Sequence, residues 1–145
     1  MPFATAREDD RRLIKLALEQ ARLGEAEGGL PVGAVLALGG NVLSRGRNRA
    51  AQDGDPIAHA EMDCIRRAGR RSNYGELSLY TTLSPCMMCA GTILQFGIAR
   101  VVVGEDQDFP GEIALLSDKG VEVVLLDDQE CVDLMKDYAK QKARS

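Results

Sequence analysis

Four residues of this 145-residue chain have types and spacing that could do chemistry: His59, Glu61, Cys86 and Cys89. They stand in the strings His59-Ala60-Glu61 and Pro85-Cys86-Met87-Met88-Cys89. An imidazole and two thiolates are zinc donors. Three protein donors leave one corner of a tetrahedral zinc open for water, which separates a catalytic zinc from a structural one. Glu61 adds a carboxylate that can move a proton. His59 is the only histidine in the chain. A Cys-x-x-Cys pair can instead be a redox pair, but thiol exchange needs neither Pro85 nor the His-x-Glu string. A structural zinc would need a fourth donor. Cys64 lies five residues past His59, which on a regular helix turns it about 140° away. Cys131 is far along the chain, and spacing does not exclude it. Both read as small buried hydrophobes, and Met87 and Met88 as core filler.

The elements around these residues must bring them together. Cys86 and Cys89 are three apart and share one face if Pro85 opens a helix. The positive end of that helix would lower the thiol pKa values. Asp55-Pro56 reads as an N-cap and first helical residue, giving a helix over Pro56–Ala68 with His59 and Glu61 in its opening turns. Residues two apart point about 200° apart on a helix, so both reach one site only if the helix end itself faces it. Two helix N-termini must therefore converge.

The remaining pattern supplies a scaffold. A first helix starts at a Thr5–Glu8 capping box, or at Asp9 or Asp10, and carries Leu13, Leu16, Ala17 and Ala21 to a terminal Gly24. Strands are expected at Val32–Leu38 and Asn41–Asn48, joined by a Gly39-Gly40 turn. A strand over Leu77–Thr82 delivers the cysteines, and a helix follows over Met87–Phe96, stopped at Gly97. Then come a strand over Arg100–Gly104, a helix over Ile113–Lys119, a strand over Val121–Leu126 and a helix from Asp128 to about Lys142. Strands alternating with helices in the second half imply parallel pairing through right-handed crossovers. The fold class is α/β, a three-layer α/β/α sandwich on a mixed sheet of about five strands, in a single domain over residues 1–145.

Apolar residues make up 45% of the chain, ordinary for a globular protein, and its length buries roughly 70% of the unfolded surface. The first ten residues hold no apolar signal core, and no apolar run reaches the roughly 20 residues that span a bilayer. Four cysteines, two of them claimed by metal, point to a reducing, cytoplasmic setting rather than a disulfide scaffold. A net charge of -4 argues against a polyanionic partner such as nucleic acid. The clusters Arg45, Arg47, Arg49 and Arg66, Arg67, Arg70, Arg71 read as solvated faces.

His-x-Glu followed by Pro-Cys-x-x-Cys resembles the signature of the zinc-dependent cytidine and nucleobase deaminase superfamily. Within it, Glu27-Gly28-Gly29-Leu30-Pro31-Val32-Gly33, Gly46-Arg47-Asn48, Leu79 to Cys86 and Val102-Val103-Gly104-Glu105 with Phe109 resemble fungal-type cytosine deaminase. The resemblance spans most of residues 9 to 140. It implies one zinc ion on His59, Cys86 and Cys89, with Glu61 moving protons between water and substrate. It also implies a substrate shell of Val32, Asn48, Ala60, Leu83, Ser84 and Phe109, and a homodimer. Asn48 would offer a donor and an acceptor to a flat heterocycle, or else be a turn residue. Ser84 would line the site or cap a helix, and Phe109 would stack or fill core. The expected reaction is hydrolysis of cytosine to uracil and ammonia. Two departures widen the choice. Residues 137–145 lack the fungal Trp-Phe-Glu-Asp-like tail, and Asp55 to Glu61 is similar to guanine and tRNA-adenosine deaminases. The alternatives are another amino-heterocycle (guanine or a cytosine-like cyclic amidine), adenosine in tRNA, or, outside enzymes, a structural zinc module.

Overall fold

A computed structural model describes residues 3–144. Its sheet has five strands in the order β2-β1-β3-β4-β5, namely β1 (Gly33–Leu38), β2 (Asn41–Arg47), β3 (Ser78–Leu83), β4 (Arg100–Glu105) and β5 (Glu122–Leu125). β1 pairs antiparallel with β2 and β3, while β3, β4 and β5 run parallel. The alternation of strands and helices after residue 77 thus gives the expected parallel half. The two-residue Gly39-Gly40 turn, both at positive φ, closes the antiparallel half.

Side chains on a strand alternate between faces, and here both faces are covered. On one face Val35, Ala37, Tyr80, Val102 and Val124 pack with Leu13, Ile14, Ala17 and Leu18 of α1 (Asp10–Ala26) and Cys131 of α6 (Gln129–Arg144). On the other, Ala34, Leu36, Leu79, Val101, Val103 and Val123 pack with Ala60, Cys64 and Ile65 of α3 (Ala60–Ala68), Ala90 and Ile93 of α4 (Met87–Phe96), and Ile113 and Leu116 of α5 (Ile113–Asp118). Two glycines let helices approach the sheet closely. A β-carbon on Gly33 would collide with the Ala17 carbonyl of α1, and one on Gly46 with the Cys64 amide of α3.

Several boundaries differ from expectation for local reasons. The first helix starts at Asp10, one of the expected starts, without the Thr5–Glu8 box. The Asp10 carboxylate instead accepts the Arg7 N–H at 2.7 Å, while the preceding segment lies along β5 through Ala4 N–H to Val123 O at 2.7 Å. The His59 helix starts at Ala60, not Pro56. Asp55 turns the chain rather than capping the helix, its carboxylate taking the Ile57 N–H at 3.0 Å. A one-turn helix, α2 (Ala50–Asp53), precedes that turn and was not expected. Among the described residues no helix is long and apolar enough to cross a membrane.

Candidate active site

β3, β4 and β5 end, β2 ends and β1 begins at one edge of the sheet. Open α/β sheets bind ligands at such carboxyl ends. His59 is the N-cap of α3 and Cys86 the N-cap of α4, both extended, with φ/ψ of -67°/160° and -71°/176°. Neither side chain caps its own helix, so both project beyond the helix ends. His59 Nδ1 lies 3.5 Å from Cys86 Sγ and 3.6 Å from Cys89 Sγ, and the three donor atoms all fall within 4.8 Å of one another. The convergence of two helix N-termini that the spacing demanded is present. Pro85 stands two residues before the helix rather than at its first position.

One nitrogen and two sulfur donors at this separation fit a tetrahedral zinc with one open corner. The alternative fourth donors are elsewhere. Cys64 contacts the Ser44 hydroxyl at 3.3 Å, and burial pushes its thiol up to about 12. Cys131 packs on the opposite face of the sheet, between α1 and β4. Burial, and then the charges of Glu61 and Cys86, drive the Cys89 thiol above its ordinary value. This reverses the lowering expected from the helix terminus alone, because Cys89 is wholly buried. Metal loading must therefore displace a proton there.

Glu61, 4% exposed, is the second residue of α3. Burial pushes its carboxyl up to about 7, against the pull of its own N–H and of Cys89. A carboxyl near neutrality both accepts and returns a proton. Glu61 shares a cavity of about 90 Å³ with Leu30, Val32, Asn48, His59, Leu83, Ser84 and Cys86. Asn48 holds two roles at once. Its Oδ1 accepts the Ala50 N–H at 3.0 Å at the start of α2, which fixes the amide and leaves its NH₂ and one oxygen lone pair for the cavity. Two arginines flank it, and they are paired rather than freely solvated. Arg47 binds both oxygens of Glu27 at 2.9 Å, and Arg49 lies 3.3 Å from the buried Asp63. Through these pairs α1 and α3 fix the segment that carries Asn48. The Ser84 hydroxyl is buried with no hydrogen-bond partner among the described residues, and Cys86, not Ser84, occupies the N-cap position of α4.

Two residues expected in the substrate shell sit differently. Ala60 is fully buried in the core and can offer only its backbone N–H, one of the first-turn groups that a helix leaves unpaired. Phe109 is 46% exposed and lines a separate, larger cavity beside the first. Leu30, unremarked in the sequence although it belongs to the Glu27–Gly33 string, lines both cavities.

A sandwich whose helix ends gather one imidazole, two thiols and a neutral-range carboxyl beside a small cavity has the parts of a metal-dependent hydrolase. Residues 7–105 match the family model described as the cytidine and deoxycytidylate deaminase zinc-binding region, and the chain belongs to that family. It is a zinc-dependent hydrolytic deaminase. The cytosine deaminase of Candida albicans is 44% identical over 137 residues, 92% of this chain and 91% of that protein. The tRNA-specific adenosine deaminase of Haemophilus influenzae is 42% identical over 110 residues, 73% of this chain but only 64% of the relative. A chain solved in work on A-to-I editing by tRNA:A34 deaminases superposes with a TM-score of 0.75 at 31% identity, covering 86% of this chain and 99% of the other.

Proposed function

We propose that this enzyme removes the exocyclic amino group of a free nucleobase, converting cytosine to uracil and ammonia. The observation that carries the reading is the 90 Å³ cavity, in which Glu61 meets His59 and Cys86, with the Cys89 sulfur within 4.8 Å of both donors. Its size suits a single small ring. The likeness to the Candida cytosine deaminase over nearly all of both chains supports the same choice. The match to the tRNA enzyme covers less of each chain, and a net charge of -4 does not favour a polyanion.

In this mechanism His59, Cys86 and Cys89 would hold the zinc, which when bound would supply Lewis acidity to a water molecule. Glu61 takes a proton at its carboxylate from the attacking water. It passes that proton to the ring nitrogen beside the amino-bearing carbon, then takes the remaining proton from the hydroxyl added to that carbon and hands it to the leaving amine, so that the carbonyl forms as the C–N bond breaks and ammonia departs. Its near-neutral carboxyl suits this two-way traffic. The Asn48 NH₂ orients the ring by donating to a ring carbonyl or ring nitrogen. Val32 and Leu83 exclude water from its faces, and the Ser84 hydroxyl and Ala60 N–H remain for its polar edge.

The enzyme acts as a cytoplasmic homodimer in pyrimidine salvage. Exposed Ile57 and Met87, next to the two metal-bearing helix starts, support a covered face there, and light scattering of the purified protein reads the mass.

The deciding experiment measures ammonia release from free bases, nucleosides and adenosine-containing tRNA stem-loops, with zinc content followed in parallel. Cytosine turnover that disappears with zinc in Cys86→Ser is the expected result. Turnover of guanine alone would replace the substrate but keep the chemistry; full activity in metal-free protein would sink the mechanism.

A further inference from the structure

The cavity at the metal donors holds about 90 Å³, well below the roughly 300–1,000 Å³ of ordinary small-molecule sites. Beside it lies a second chamber of about 480 Å³. Leu30 and Leu83 line both, so two rotatable side chains, rather than backbone or a polar barrier, stand at their boundary. Phe109, Met135, Tyr138 and Ala139 complete the outer wall. The cation on this wall, Lys142, has its ammonium 5.6 Å from the centre of the Tyr138 ring.

The chemistry of the outer wall selects what can enter it. A ribose or phosphate would have Tyr138 and Lys142 as its polar partners on this wall, the Lys142 ammonium being over the Tyr138 ring, while leucine, methionine and phenylalanine would take away water contacts without replacing them. An alkyl or aryl group would instead cover the exposed Phe109 ring and the half-buried Leu30 and Leu83, and gain in proportion to the apolar area removed from water. A bare pyrimidine filling the inner chamber touches none of Met135, Tyr138 or Ala139 and gains nothing from them.

We infer that the substrate class is an amino-substituted heterocycle bearing an apolar substituent, with the ring at the metal donors and the substituent in the outer chamber between α6 and Phe109. This rests on the deaminase reading above and narrows it. Binding energy from the substituent, remote from the reacting carbon, then holds the ring in place for the chemical step.

The test compares kcat/KM for cytosine with that for N1-benzyl, C5-benzyl and C6-benzyl cytosine on the zinc-loaded enzyme. At least one isomer is expected to match or exceed cytosine, and Ala139→Phe, which fills the chamber, should lower the ratio of that isomer to cytosine about tenfold or more, the scale of a lost methylene-sized fit. Cytosine turned over with every isomer below it, or an unchanged ratio in Ala139→Phe, overturns the inference while the deaminase reading stands. No ammonia from any of the four compounds by protein that holds its zinc overturns the cytosine assignment on which the inference rests.

Discussion

β4 runs between two buried polar clusters of opposite character. At its first residue, Arg100 donates from Nη1 and Nη2 to both Asp10 oxygens at 2.8 and 2.7 Å and from Nε to Glu122 at 2.6 Å. The Tyr80 hydroxyl donates to Asp10 at 3.0 Å. At its last residue, Glu105 is fully buried and accepts the Gln107 N–H with one oxygen, while the other has no partner among the described residues. The neighbouring Ser84 hydroxyl is equally unpaired. The first cluster clamps α1 to the sheet with every charge matched. The second leaves polar capacity unspent, an arrangement that costs stability and is found where a ligand or a proton is to be received. Satisfaction of the polar groups, not their burial, distinguishes the structural end of the sheet from the chemical one.

The sharpest break of this contrast is Glu61→Gln. It should lower kcat by about 10²–10⁴, the contribution of a positioned acid–base group, while zinc content measured on the purified protein stays near one per chain. Loss of zinc together with activity would make Glu61 part of the metal's support rather than the proton carrier.

Asp10→Ala attacks the other end. It strands the Arg100 guanidinium, whose side chain is 6% exposed, and should cost about 3–5 kcal/mol in urea unfolding, with kcat unchanged in the folded protein. The pH dependence has a definite sign. Burial alone would raise the Asp10 carboxyl, but Arg100, the Arg7 N–H and Tyr80 hold it below its ordinary value. Its stabilisation is therefore complete above an unfolded value of about 4 and is lost as pH falls through the lower folded value. Wild-type protein should lose this contribution in acid, and Asp10→Ala, having none, should show a flatter acid limb.

Ser84→Ala should affect the two properties in opposite directions. Removing an unpaired buried hydroxyl should stabilise the fold by about 1 kcal/mol, and if Ser84 meets the substrate's polar edge, KM should rise several-fold. A lower stability would show that the hydroxyl is satisfied in solution.

The smallest expected effect is at Glu105, where the sign is opposite to that at Asp10. Burial, then the N–H of Gln107 in opposition and the charges of Asp108 and Asp106, leave its carboxyl raised. Its contribution is complete below its unfolded value and is lost as pH rises through the folded one. Glu105→Gln should thus be more stable than the wild type by about 1 kcal/mol or less once the pH is above the folded value, read as a smaller fall in Tm as pH rises out of the carboxylate range.

Much of the donor set was legible because it is local. His59 and Glu61 are two residues apart and Cys86 and Cys89 three, each pair at the mouth of a helix, so spacing alone required the helix ends to converge. The start of α3 was misplaced because Asp55-Pro56 has the composition of a cap, and the Asp55 side chain turned the chain instead. The arginines at 45, 47 and 49 read as solvated because their partners, Glu19, Glu27 and Asp63, come from other elements.

What the chain determined by itself was therefore short in range: donor types, helix caps, alternating strands and the parallel second half. Tertiary structure alone decided which polar groups found partners. Asp10 meets Arg100 across ninety positions of sequence, Cys131 was separated from the metal donors by the sheet itself, and Met135 and Tyr138 came to wall a chamber with Leu30. Burial and hydrogen-bond satisfaction depend on the sum of neighbours brought by distant segments, and no local spacing encodes that sum.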